Sequence, residues 1–178
     1  MALIYVTGIS GAGKSAVCDA LKARGYRAYD ADRDGFKSWY EKSTDRLATD
    51  QKRWADATLD WRRRFWLKID PEKVESLAAS SRTAQAPIFL CGTSAGEDAV
   101  WHLFDRVIQL SIGEETLRRR IANRADNAFG KDPADLEDIL GWHESSDARM
   151  ASFGAVLVDA EQPLEAVVEQ VLRIALTA

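Results

Sequence analysis

The residues with the most specific chemistry stand near the N-terminus. Gly8-Ile9-Ser10-Gly11-Ala12-Gly13-Lys14-Ser15 fits G-x-x-x-x-G-K-[ST] at every fixed position. Glycines let the backbone curl so that successive N–H groups point inward at phosphate oxygens. A helix starting near Lys14 adds its positive N-terminus. The spacing gives Lys14 the β- and γ-phosphates and gives the Ser15 hydroxyl a Mg²⁺ ion. Gly8 through Ser15, with Ala16 behind them, are the expected nucleotide contacts, and Lys14 is also a catalytic candidate.

A second cluster, Asp30-Ala31-Asp32, follows a short extended run. Residues i and i+2 of an extended chain point the same way. Two carboxylates beside a phosphate loop can divide two tasks: one holds a metal-bound water, the other accepts a proton from a substrate hydroxyl. Two other nucleotide chemistries lack their marks. The guanine-reading N-K-x-D is absent. The third apolar run ends Leu90-Cys91-Gly92-Thr93, without the acidic residue of a motor-type ATPase.

These groups need a scaffold. Leu3–Thr7, 26–29, 87–91, 106–112 and 155–158 read as strands. Helical spacing runs over 14–24, 114–127, from Asp132-Pro133 toward Met150, and from Pro163 with Val167, Val168, Val171 and Leu172 on one face. A further helix carries Val100, Leu103 and Phe104. Strands alternating with helices predict an α/β, three-layer fold: a five-stranded parallel sheet with helices on both faces and right-handed crossovers. No internal repeat or linker divides residues 1–178, so one domain is expected.

The pattern from Asp34 to about Ser80 reads as helical, broken near Asp70-Pro71, and residues 33–75 read as the acceptor-binding region. Trp39, Trp54, Trp61 and Trp66 lie there with Arg53, Arg62, Arg63 and Arg64. Arginine forks suit a carboxylate or phosphate, and indole faces suit a base or sugar ring, so an anionic or nucleoside-like acceptor is expected. The opposing reading makes Leu47, Trp54 and Trp61, at sevenfold spacing, a stripe facing the core.

Net charge is -4, which argues against a polyanion partner such as nucleic acid. The charge is unevenly placed: residues 1–131 carry 22 Lys and Arg against 18 Asp and Glu, and residues 132–178 carry 2 against 10. The cationic part contains the phosphate loop and leaves room for a small polyphosphate. Cys18 and Cys91 make neither a disulfide framework nor a metal cluster. His102 and His143 lack ligand spacing. No apolar run reaches the roughly 18 residues of a membrane span. With no signal peptide, a cytoplasmic monomer or homodimer is expected.

The order of these motifs resembles the shikimate kinase and gluconate kinase branch of the nucleoside-monophosphate-kinase-like fold. The resemblance is carried by residues 8–15, 30–32, 120–124 and 158–163. It implies an ATP- and Mg²⁺-dependent kinase that transfers the γ-phosphoryl group to a small molecule, most simply at a hydroxyl. It places Asp30 on the metal-water position and Asp32 on the acceptor hydroxyl. Arg120 and Arg124 fall on the R-x-x-x-R pattern that leads into a lid at 125–135. The turn Val158-Asp159-Ala160-Glu161-Gln162-Pro163 falls beside the adenine, with Asp159, Ala160 and Pro163 as contacts. Shikimate kinases end the third strand in a glycine triplet against substrate. Here only Gly92 matches, which sets shikimate aside and keeps Gly92 as a candidate contact. The alternatives are a nucleoside-monophosphate kinase, in which the arginines of 53–64 outweigh Asp32, and an ATP-binding regulatory module with little or no transfer.

Overall fold

The computed structural model describes residues 1–53, 56–124 and 129–177. Five strands, β1 (Leu3–Gly8), β2 (Arg27–Asp30), β5 (Ile88–Cys91), β6 (Arg106–Ser111) and β7 (Val156–Asp159), form one sheet. Its order is β2-β5-β1-β6-β7, and every pairing is parallel. Central β1 is buried along its whole length, as its unbroken apolar run requires of a strand covered on both faces.

Each face has its own core. On one, Ile4, Val6, Phe89, Ile108 and Leu110 pack with α1 (Lys14–Ala23), α4 (Glu114–Asn123) and α6 (Leu164–Leu176). On the other, Leu3, Tyr5, Ile88, Leu90 and Val107 meet α3 (Pro71–Arg82), the 3₁₀ helix Glu97–Leu103 and Met150 of α5 (Pro133–Ser152). In a parallel sheet all carboxyl ends share one edge, where ligands bind. Gly8, Asp30, Gly92, Ser111 and Asp159 lie along it.

The helical expectation holds from Pro71 onward and at Leu59–Arg64 but fails over the other described residues of 34–70. β3 (Lys37–Glu41) and β4 (Phe65–Ile69) form an antiparallel pair, with the single-and-a-half-turn α2 (Leu59–Arg64) at its tip. The sevenfold spacing of Leu47, Trp54 and Trp61 is not a helix stripe: Leu47 is exposed and pairs by a lone bridge with Tyr40, and Trp54 lies outside the described residues. The hairpin has a small core of Trp39, Ala48 and Ala57, closed by Trp61, Phe65 and Leu67. Its β4 end is tied to the loop after β5, where the Ile69 N–H donates to Ala95 O at 3.2 Å.

Candidate active site

The phosphate loop joins β1 to α1. Gly13 precedes α1 in the left-handed region (φ 102°), a conformation that favours glycine, and no side chain caps the helix. The first α1 N–H groups therefore remain available to an anion. Lys14 folds back over the loop. Its Nζ donates to Gly8 O at 2.7 Å and Ile9 O at 2.9 Å. Burial, followed by the nearby positive charge of Lys37, pushes its pKa down to about 8.

Ser15 and Asp30 meet below the loop, the Ser15 hydroxyl donating to Asp30 Oδ2 at 2.7 Å. Asp30 is 3% exposed. Burial raises its pKa, but the Ser15 hydroxyl, the Arg33 and Asp32 N–H groups and the Arg33 charge outweigh burial and hold it below the usual carboxylate value. A buried, ionised carboxylate bonded to a phosphate-loop hydroxyl is a donor set that fits Mg²⁺, which is commonly held by one or two protein oxygens, substrate phosphates and water. Among the described residues no cluster of three or more His, Cys, Asp or Glu forms a protein-only cage.

Asp32 stands on the next turn, exposed, with its Oδ1 2.7 Å from Lys37 Nζ. The Lys37 side chain is largely buried. Sequence reasoning missed Lys37 because a helical pattern from Asp34 gave it no special place. The turn signal Asp34-Gly35 before an aromatic run was the available clue.

The two arginines of the expected R-x-x-x-R pair both reach the loop. Arg120 donates through Nη1 to Ala12 O at 3.1 Å and through Nη2 to Ala160 O at 2.7 Å. It thereby joins the phosphate loop to the Asp159–Pro163 turn. Arg124, at the end of α4, donates to Ser10 Oγ at 3.1 Å. Asp159 accepts from the Glu161 N–H and the Gln162 amide, fixing that turn, and Pro163 precedes α6. Of the expected lid, 125–128 lie outside the described residues. Phe129 packs against the core, and Asp132 caps α5.

The acceptor-side candidates are scattered. Arg53 pairs with Asp56 and Arg63 with Asp60, while Arg62 Nε donates to Ala57 O and Arg64 lies 3.9 Å from Glu41. Arg62, Arg63 and Arg64 sit at the hairpin tip, four residues along β3 from Lys37, roughly 13 Å at strand rise. Trp39 is 1% exposed and donates from its indole to Lys52 O. It is a core side chain of the hairpin, not an open platform. Gly92 is buried, and a Cβ there would stand 2.4 Å from Ala31 Cβ. This glycine lets the end of β5 pass the Asp30–Asp32 turn, and so positions the carboxylates.

A family model described as AAA domain matches residues 4–148. Among solved structures, a gluconokinase from Sinorhizobium meliloti 1021 is similar at 23% identity and TM-score 0.55, covering 99% of this chain and 94% of that one. A shikimate kinase from Acinetobacter baumannii, in complex with shikimate, is similar at 16% and 0.63, with 99% and 94% covered. A deoxyadenosine kinase from M. mycoides with bound dATP is similar at 15% and 0.54, with 98% and 99% covered. No curated protein matches the chain. These likenesses show the fold: a five-stranded parallel sheet flanked by helices, shared with P-loop kinases.

Proposed function

The chain belongs to the AAA domain family, and on that premise we propose that it is an ATP-dependent small-molecule kinase. The observation that carries the reading is the Ser15–Asp30 hydrogen bond, 2.7 Å long, beside Lys14, with Asp32 on the adjoining turn. Phosphate binding alone needs only the loop. A buried metal-side carboxylate together with a second, accessible one suits transfer. The kinases of similar fold act, by their names, on gluconate, shikimate and deoxyadenosine, which supports a small acceptor.

In this mechanism the loop amides and Lys14 bind the β- and γ-phosphates. Ser15, with Asp30 through water, would hold Mg²⁺, which when bound would neutralise phosphate charge. Asp32 orients the acceptor hydroxyl and takes its proton. The acceptor oxygen forms its bond to the γ-phosphorus as the bond to the β–γ bridging oxygen breaks, and that oxygen leaves on ADP. Lys37, paired with Asp32 and near enough to Lys14 to lower its pKa, adds positive charge on that side. Arg120 and Arg124 stabilise charge on the loop side, and positive groups there act where charge develops. Asp159, Ala160 and Pro163 flank the adenine. The local pairing of Arg53 and Arg62–Arg64 favours a hydroxyl over a phosphate acceptor. Two buried free cysteines suit a reducing cytoplasm.

The test is phosphoryl transfer by the Lys14→Ala and Asp32→Asn variants. Both are expected to lose it, with Asp32→Asn retaining ATP binding. Unimpaired transfer in both would refute the mechanism. Normal function with Asp32→Asn alone would favour an ATP-binding module.

A further inference from the structure

A cavity of about 540 Å³ lies between the loop after β5 and the last turns of α5. Ser94, Glu97, Trp101, Arg149, Met150 and Phe153 are among its lining residues. Its volume falls within the range of small-molecule sites. Glu97 is 6% exposed. Both of its donors, the Tyr5 hydroxyl at 2.7 Å and the Ser94 N–H at 2.6 Å, bind Oε1. Oε2 takes no hydrogen bond among the described residues and is left for a donor from the cavity. Burial and the Glu97 charge raise the Tyr5 pKa well above its usual value, so its hydroxyl remains a donor.

Further polar groups cover the same sheet face. Thr7 follows Tyr5 by two residues and pairs in register with Gln109. Thr7 is buried beside the Tyr5 hydroxyl, which its side chain hydrogen-bonds, and among the described residues the buried Gln109 Oε1 has no hydrogen-bond partner. Gln109 Nε2 donates to Ser146 and Asp147, one helical turn from the cavity residue Met150. Unsatisfied buried polar atoms are costly and call for a partner. The cavity lining itself carries two carboxylates, the buried Glu97 and the exposed Asp98, and one arginine, the exposed Arg149. An anionic acceptor would meet like charge at the buried Glu97.

We infer that the acceptor is a polyhydroxyl molecule without negative charge, held in this cavity by Glu97 Oε2. The inference rests on the kinase reading for the word acceptor, but the binding claim stands apart from it. It departs from the anionic acceptor that Arg53 and Arg62–Arg64 suggested.

The test uses the full chain with Mg²⁺ and a non-hydrolysable ATP analogue for thermal shift, and with ATP for ADP release. The probes are glucose and glucosamine against glucuronate, and adenosine against AMP. The uncharged or amino members of at least one set should bind and stimulate at least about tenfold better than the acid. Glu97→Gln should lose at least about tenfold of that response relative to its own analogue affinity. Preference for the acids, binding by no probe, or an unchanged response in a folded Glu97→Gln protein would overturn the inference. If that variant does not fold, the comparison on the unaltered chain decides. Binding of the uncharged probes without ADP release upholds the inference and removes the kinase reading. ADP release with acids alone does the reverse.

Discussion

The two halves of the cleft are built differently. The phosphate half is made of backbone groups and cations: uncapped α1 amides, Lys14 on Gly8 and Ile9, and Arg120 on Ala12. Most of its specification lies within one strand–loop–helix unit. The proposed acceptor half is made of side chains brought together from distant parts of the chain. Tyr5 and Glu97 are 92 residues apart, and Gln109 and Asp147 are 38. Its inner groups are hydroxyls, an amide and carboxylates. On the proposed reading, binding a polyphosphate is a local property, whereas choice of acceptor depends on the packing of the whole sheet face.

The sharpest way to break this contrast is Lys14→Ala. It should lower ADP release about 10²- to 10³-fold while the circular dichroism spectrum stays native. Asp32→Asn should cost about 10²-fold in kcat with the ATP dissociation constant unchanged, because it removes a proton acceptor on the other half. An equal loss in ATP affinity would merge the halves. A third effect is set by pH. In the proposed mechanism Lys14 binds phosphate as the ammonium, and burial lowers its pKa to about 8. The protonated, binding-competent form prevails below that value and is lost above it. The ATP dissociation constant should therefore rise roughly tenfold per unit between pH 8.5 and 9.5, measured by titration calorimetry. Lys37→Met should move this rise to higher pH.

Gly92→Ala acts at the seam. The added methyl group has no room beside Ala31. It should cost about 1–3 kcal/mol of stability, read as a lower Tm, and displace the Asp30–Asp32 turn. The smallest effect is expected at the hairpin tip. Arg63→Ala and Arg64→Ala should change stability by less than about 0.5 kcal/mol and leave KM for any acceptor unaltered. A large rise in KM would return these arginines to the acceptor site.

The same division explains what could be read without coordinates. β1, β2, β5, β6 and β7 are apolar runs bounded by turn residues, so their periodicity announces them. Gly8–Ser15 has one chemistry at one spacing, and Asp30 and Arg120 fall where that chemistry needs partners. β3 and β4 were hidden because Lys37–Glu41 and Phe65–Ile69 mix aromatics with charges and border the helical Leu59–Arg64. Trp39 looked like a binding platform because composition does not show burial. Its place in the hairpin core follows from pairing with Leu67 across β4. The steric need for Gly92 gave no sequence signal, since it arises from Ala31, 61 positions away in sequence. Glu97 gave no signal, since its partners Tyr5 and Ser94 are assembled only by the fold.

The most direct test of the central claim follows the γ-phosphoryl group itself. With Mg²⁺-ATP and a panel of uncharged alcohols, ³¹P NMR should show a new phosphate-monoester resonance growing at the rate of ADP, and this product should be absent with Lys14→Ala. ADP accompanied only by inorganic phosphate, at a rate no acceptor changes, would contradict a kinase.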